Sequence, residues 1–217
     1  MNTTVVTSFS EPYYRAVSRY GLSTWTKLNE YKLAVSDSGF DPNLPGLTVI
    51  DGKTVYDPKD RYWEIGGKKH KFWKKGMSFA FLATTISTDY MLWLDGDVVI
   101  NKPFDLNLFR PSETELATLI CSDDEHAETG FVFINRKNPD FNKWIDEYRS
   151  AWYNDIIDTV RHPWDGYIFY ETIKKYSHRN LSSLQIRKPQ GFEETPLLDY
   201  MFHFSGKRKN LIREVIK

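Results

Sequence analysis

One stretch limits the possible folds of this chain more than any other: Tyr90-Met91-Leu92-Trp93-Leu94-Asp95-Gly96-Asp97-Val98-Val99-Ile100. Its apolar run is far too short to cross a bilayer and reads as a buried strand. The run stops at two carboxylates separated by one glycine. Open α/β sheets bind ligands beyond the C-terminal ends of their strands, so a buried strand ending on Asp95 and Asp97 predicts an α/β sheet with a polar site at its edge.

The flanking pattern agrees. Residues 3–9 (TTVVTSF) are a β-branched strand, and Glu11-Pro12 opens a helical stretch to about residue 27, weakened at Gly21. Residues 31–35 form the next strand, and strand–helix–strand is the order of an α/β domain. Residues 41–62 read as a turn-rich excursion with a small hairpin at Asp51-Gly52. A helix over 70–87 leads into the strand at 90–94. Further strands are expected at 98–100, 116–121, 131–134 and 184–186, and helices at 141–157 and 164–176. No repeat or low-complexity linker divides the chain, so residues 1–217 read as a single domain.

Composition excludes several classes. A chain of 217 residues buries about 70% of its extended surface, enough for a core without staples. Cys121 is the sole cysteine, which rules out an internal disulfide or a cysteine zinc site. With a lone cysteine, no transmembrane run and no basic n-region in MNTTVVTSF, a reducing, cytoplasmic setting is expected. The 29 Lys+Arg balance the 29 Asp+Glu, so no global charge favours nucleic acid. Aromatic residues make up 16% of the chain. Core filling accounts for them most simply, and a cleft that stacks on planar or sugar rings is the alternative.

The chemistry concentrates at Asp95 and Asp97. In a regular strand, side chains two apart share a face, so both carboxylates can converge, and Gly96 lets the backbone approach a ligand. Two like charges so close call for a partner, and a divalent cation bridging diphosphate oxygens is the economical one. Five lysines at 68, 69, 71, 74 and 75 interleave with Phe72 and Trp73; Lys71 and Lys75 share a helix face.

WLDGDVVINKPF resembles the aspartate-x-aspartate motif of nucleotide-sugar glycosyltransferases of the GT-A fold. The resemblance implies one Rossmann-like domain with a mostly parallel central sheet flanked by helices, and Mn²⁺ or Mg²⁺ held by Asp95 and Asp97 against a nucleoside-diphosphate sugar. TTVVTSFSEPYYRAV resembles the first strand and helix of that family, which places Thr7 and Phe9 beside the nucleoside. His203-Phe204-Ser205-Gly206-Lys207 resembles the HxxGxK element of the retaining, glycogenin-like family 8 branch. On that pattern His203 is the third metal ligand, and Gly206 and Lys207 meet the diphosphate. Imidazole with two carboxylates suits Mn²⁺, although a satisfied core histidine would also fit the aromatic run YMFHF. In this family a cation near the start of the helix before the motif faces the donor, and Lys71 or Lys75 fits. Glu128 stands where relatives carry Asn-x-Gly, and Asp165 where they carry an Asp-Gln pair, here Asp-Gly. Both are candidate catalytic residues, with helix capping as the plainer role of Asp165. Trp164 could stack on a sugar or belong to the core.

The implied activity is transfer of a hexose from a UDP-sugar, with retention favoured, to a glycan, lipid-linked or macromolecular acceptor. Residues 1–105 would bind donor, about 106–200 the donor sugar and acceptor, and about 201–217 metal and diphosphate. A nucleotidyltransferase would show a glycine-rich basic loop after the first strand, and Ser10-Glu11-Pro12 stands there instead. A non-catalytic sugar- or nucleic-acid-binding module is the remaining alternative.

Overall fold

The computed structural model describes residues 2–57, 67–122, 126–153, 159, 160, 162, 164–182, 192, 195–204, 209, 211 and 212. Its centre is a seven-stranded sheet in the order β3-β2-β1-β4-β7-β6-β8. The strands are β1 Thr3–Phe9, β2 Tyr31–Ser36, β3 Leu47–Asp51, β4 Tyr90–Leu94, β6 Ala117–Ser122, β7 His126–Asn135 and β8 His178–Asn180. β1 to β4 run parallel to one another, β7 runs against both its neighbours, and β8 pairs parallel with β6. Two short strands, β5 Val98–Ile100 and β9 Met201–His203, form a separate antiparallel pair. The expected α/β architecture, a mostly parallel sheet flanked by helices, is the one observed.

Both faces of the sheet are covered, and the residues divide between them with a period of two. Val6, Met91, Trp93, Val132 and Ile134 point to one side. There they meet the helices α2 Gly67–Thr85, α3 Phe141–Tyr153 and α4 Asp165–Ile173. Val5, Leu92, Leu94, Phe131 and Phe133 point to the other side, against Leu22, Trp25, Val98, Ile100 and Met201. β4 is therefore apolar at every position because it is buried on both faces. No helix among the described residues is long and apolar enough to cross a membrane.

α1, the helical stretch 11–27, begins at Ser10, whose side chain accepts from the Tyr13 N–H, with Pro12 in the first turn. It passes through a π-helical turn at Tyr14–Ser18. Gly21 weakens local propensity but is required by packing. A Cβ there would lie 2.3 Å from the Gly96 carbonyl oxygen and 2.8 Å from that of Val98. α1 thus rests directly on the backbone of the Asp95–Asp97 turn.

Several expectations need correction. No hairpin forms at Asp51-Gly52: β3 ends at Asp51 and a 3₁₀ turn, Gly52–Thr54, follows. Asp51 accepts from the Lys53 N–H, so the Asp-Gly pair starts a helical turn. The excursion at 41–62 consequently contains an ordered parallel strand. β7 begins at His126 rather than 131, so Glu128, Thr129 and Gly130 are strand residues. The strand expected at 184–186 falls outside the described residues; among those described, the sheet ends at β8.

Gly21→Val should cost about 1–3 kcal/mol, because backbone carbonyls cannot rotate away as a side chain would. For a chain of this size that is a fall in Tm of roughly 2–4 °C per kcal/mol, checked by thermal denaturation against wild type.

Candidate metal and donor site

The C-terminal ends of β1, β2 and β4, the N-terminal end of β7 and the end of β9 surround a pocket of about 890 Å³. Asp95 and Asp97 meet at its centre, though not through strand pleating. β4 stops at Leu94, and residues 95–98 form a tight turn closed by the Val98 N–H donating to the Asp95 carbonyl at 2.9 Å. β9 pairs with β5 in a register that sets His203 opposite Val98. Ligand atoms of Asp95, Asp97 and His203 all lie within 4.8 Å of one another. His203 reaches this point because Gly130 has no side chain: a Cβ there would lie 2.5 Å from the imidazole.

Each carboxylate has a cationic or N–H partner. His203 Nε2 is 3.2 Å from Asp97 Oδ1 and 3.8 Å from Asp95 Oδ2, and its Nδ1 is 3.3 Å from Glu128 Oε1. Asp97 Oδ2 accepts from the Tyr13 hydroxyl at 2.7 Å and lies 3.0 Å from Lys209 Nζ. Lys75 Nζ lies 2.7 Å from Asp95 Oδ1 and 2.6 Å from Asp165 Oδ2, and donates to Thr129 Oγ1 at 3.0 Å. Thr129 in turn donates to Asp165. Glu128 Oε1 accepts from the Gly130 N–H at 3.0 Å. Trp93 Nε1 donates to Asp95 Oδ1 at 2.9 Å.

These contacts set the protonation states. Burial alone would raise Asp97, but the charge of His203 and then Lys209 overrides it and holds the carboxyl far below its usual range. Burial would lower His203, and the charges of Glu128 and Asp97 instead push it up to about 10. Burial opposes ionisation of Asp165 and Glu128 too, yet Lys75 holds the first below its ordinary value and His203 the second. Burial pushes Asp95 up, with Lys75 offsetting only part of the effect. Lys71 is lowered by burial and by the nearby cations Lys209 and Lys75.

Two carboxylates and an imidazole, all reaching one point beside a polar pocket, form a donor set suited to Mn²⁺ or Mg²⁺. His203 is not a core histidine in an apolar setting, since both ring nitrogens face carboxylates. Asp165 is the first residue of α4 but does not cap it; Trp164 holds the N-cap position. Phe9, Lys71, Lys75, Glu128 and Asp165 line the same pocket. Thr7 is buried within β1 and does not line it. Gly206 and Lys207 lie outside the described residues.

Sequence reasoning missed Tyr13, Thr129 and Lys209. Lys209 stands two residues beyond Lys207, in the run Lys207-Arg208-Lys209. Tyr13 lies just after β1 in the helical stretch that Glu11-Pro12 opens, where no local pattern marks it as part of the site. Gly96 faces protein as well as the pocket, because a Cβ would lie 2.6 Å from Ser18 Oγ.

No protein-family model and no curated protein matches the sequence. Solved structures do match the fold. The glycosyltransferase GlyE of Streptococcus pneumoniae TIGR4 aligns at a TM-score of 0.54 and 14% identity, over 81% of this chain and 45% of that one. The galactosyltransferase LgtC, solved in complex with donor and acceptor sugar analogs, aligns at 0.57 and 13% identity, over 83% of this chain and 73% of that one. The chain thus spans less than half of GlyE, and its similarity to GT-A glycosyltransferases is one of fold.

With metal removed by EDTA, protonated His203 should stabilise the fold fully below about pH 6.5, its unfolded value. That contribution should be lost as pH rises through about 10. Urea denaturation should show wild type losing its advantage over His203→Gln across that window. A pH-independent difference would mean the folded imidazole is neutral. Lys75→Met should cost about 3–5 kcal/mol by leaving Asp95 and Asp165 buried without their cation. The same urea titration, run at neutral pH with EDTA present, measures it.

Proposed function

We propose that this protein is a divalent-metal-dependent glycosyltransferase that moves a hexose from a UDP-sugar to an acceptor hydroxyl, with retention. The observation that carries this reading is the convergence of Asp95, Asp97 and His203 at the C-terminal edge of a GT-A-like sheet. Those three residues would hold Mn²⁺ or Mg²⁺, which supplies positive charge against the diphosphate oxygens when bound.

The chain's own residues divide the remaining work. Phe9, Ser10 and Asp37 line the β1–β2 end of the pocket, where the nucleoside would lie. Lys71 and Lys209 supply cationic charge near Asp95 and Asp97, suited to a diphosphate whose negative charge grows as the glycosidic bond breaks. We assign Lys209 the diphosphate contact, because it lines the pocket and reaches Asp97. Lys75 acts as a tie, fixing Asp95 and Asp165 with one ammonium. Glu128 and Asp165 approach from β7 and α4, where they can accept hydroxyls of the donor sugar.

Inversion needs a carboxylate free to take the acceptor's proton. Glu128 is engaged by Gly130 and His203, and Asp165 by Lys75 and Thr129. Both are held ionised and weakly basic. Retention needs no such base, because the leaving diphosphate can take the proton on the face it departs from. The uridine and hexose assignments rest on the family resemblance, and the cytoplasmic setting on the lone cysteine.

Isothermal titration with UDP and GDP, each with Mn²⁺ and with EDTA, tests the reading. UDP should bind only with metal, and Asp97→Ala should weaken that binding by about a hundredfold or more. Equal UDP binding in EDTA, or a preference for GDP, would count against it.

A further inference from the structure

The end of the pocket beyond the metal trio carries an aromatic group that the donor reading does not use. Trp164 is 39% exposed, whereas Trp25, Trp73, Trp93, Trp144 and Trp152 are fully buried. Its indole lies nearly parallel to the His162 ring, with centroids 4.7 Å apart and 19° between planes. Tyr167 braces both rings, 5.4 Å from His162 and 6.0 Å from Trp164. His126 packs against Tyr167 in turn at 4.9 Å. The plane of the indole is therefore set by neighbours, while much of its surface stays open beside the pocket it lines with His126, Glu128 and Asp165.

Its place along the sheet decides what it faces. Asp37 follows β2, and Trp164 precedes α4, which packs on β7. In the order β2-β1-β4-β7 those ends are three strand spacings apart, about 14 Å. A nucleoside beside β1 and β2 with its diphosphate at the β4 turn leaves Trp164 on the opposite side, where the sugar changes hands.

We propose that Trp164 is a stacking platform for a pyranose ring of the acceptor, so that the acceptor is a glycan. This rests on the glycosyltransferase reading. The apolar C–H face of a pyranose packs flat on an aromatic face, and carboxylates accept hydrogen bonds from its rim of hydroxyls. Glu128 and Asp165, placed beside the donor sugar, line the pocket with Trp164, so an acceptor ring on the indole would lie next to the sugar it receives and share those carboxylates. They also disfavour a phosphate-backbone acceptor there, which a platform for nucleic acid would have to tolerate.

The test uses saturation-transfer NMR with methyl β-D-galactopyranoside, methyl α-D-glucopyranoside and methyl N-acetyl-β-D-glucosaminide, in the presence of UDP and Mg²⁺. Wild type, Trp164→Ala and Trp164→Phe are compared, with UDP titrated calorimetrically into each. At least one glycoside should receive saturation on one ring face. Its binding should weaken roughly tenfold in Trp164→Ala and be largely kept in Trp164→Phe, with UDP affinity unchanged. Undiminished glycoside binding in Trp164→Ala overturns the platform, as does absence of glycoside binding where UDP binds. Trp164-dependent binding of a short single-stranded oligonucleotide, with no glycoside bound, overturns it in favour of nucleic acid. Trp164-dependent glycoside binding without any UDP binding overturns the donor reading, and the acceptor role with it.

Discussion

Four carboxylates at one edge of a sheet are the constraint on which the rest of this site depends. Asp95, Asp97, Glu128 and Asp165 could not remain ionised together in a buried setting without compensation. Lys75 spans Asp95 and Asp165, His203 spans Asp97 and Glu128, and Lys209 adds to Asp97. The cations come from α2, β9 and the C-terminal segment, and the acids from the β4–β5 turn, β7 and α4. The charge network therefore ties together parts of the chain from opposite ends of the sequence.

Two backbone approaches make that network possible. Gly21 lets α1 sit against the carbonyls of the Asp95–Asp97 turn, which carries Tyr13 to Asp97 from the other side. Gly130 clears the space that the His203 ring enters. The β5–β9 pair then fixes the histidine by main-chain register, independently of the main sheet. The positions of Asp95, Asp97 and His203 are thus set largely by backbone geometry.

Most of the fold was legible in the sequence because its signals were local. The continuous apolar run at 90–94 and the β-branched run at 3–9 could only be buried strands, and the α/β order followed. What escaped depended on pairing partners far along the chain. β3 looked like part of a loop because its side chains are only partly buried, leaving a weak pattern. The start of β7 was hidden because its polar residues face a charged site rather than water. At the site, Asp95, Asp97 and His203 were legible as chemistry at a motif's spacing. Tyr13 and Thr129 were not, since each acts through a contact 36 or 84 residues away that no spacing encodes. The convergence of the two aspartates was anticipated for the wrong reason, since a turn and not the strand pleat brings them together.

The high aromatic content has two consequences that composition alone could not separate. Phe79 gathers Trp93, Trp144, Tyr148 and Phe169 within 5.4 to 6.1 Å, so these five rings form one layer between the sheet and its helices. Yet Trp93 belongs to that layer and to the site at once. Its indole N–H donates to Asp95, and its ring faces Lys75 Nζ at 5.9 Å. Lys75 and Phe79 lie one helical turn apart on α2, so the packing that seats Phe79 also directs the lysine. A rigid aromatic core holds a charged cluster in place without spending further polar groups on the task. Core filling and site positioning are here one structural fact, read from opposite sides of the same tryptophan.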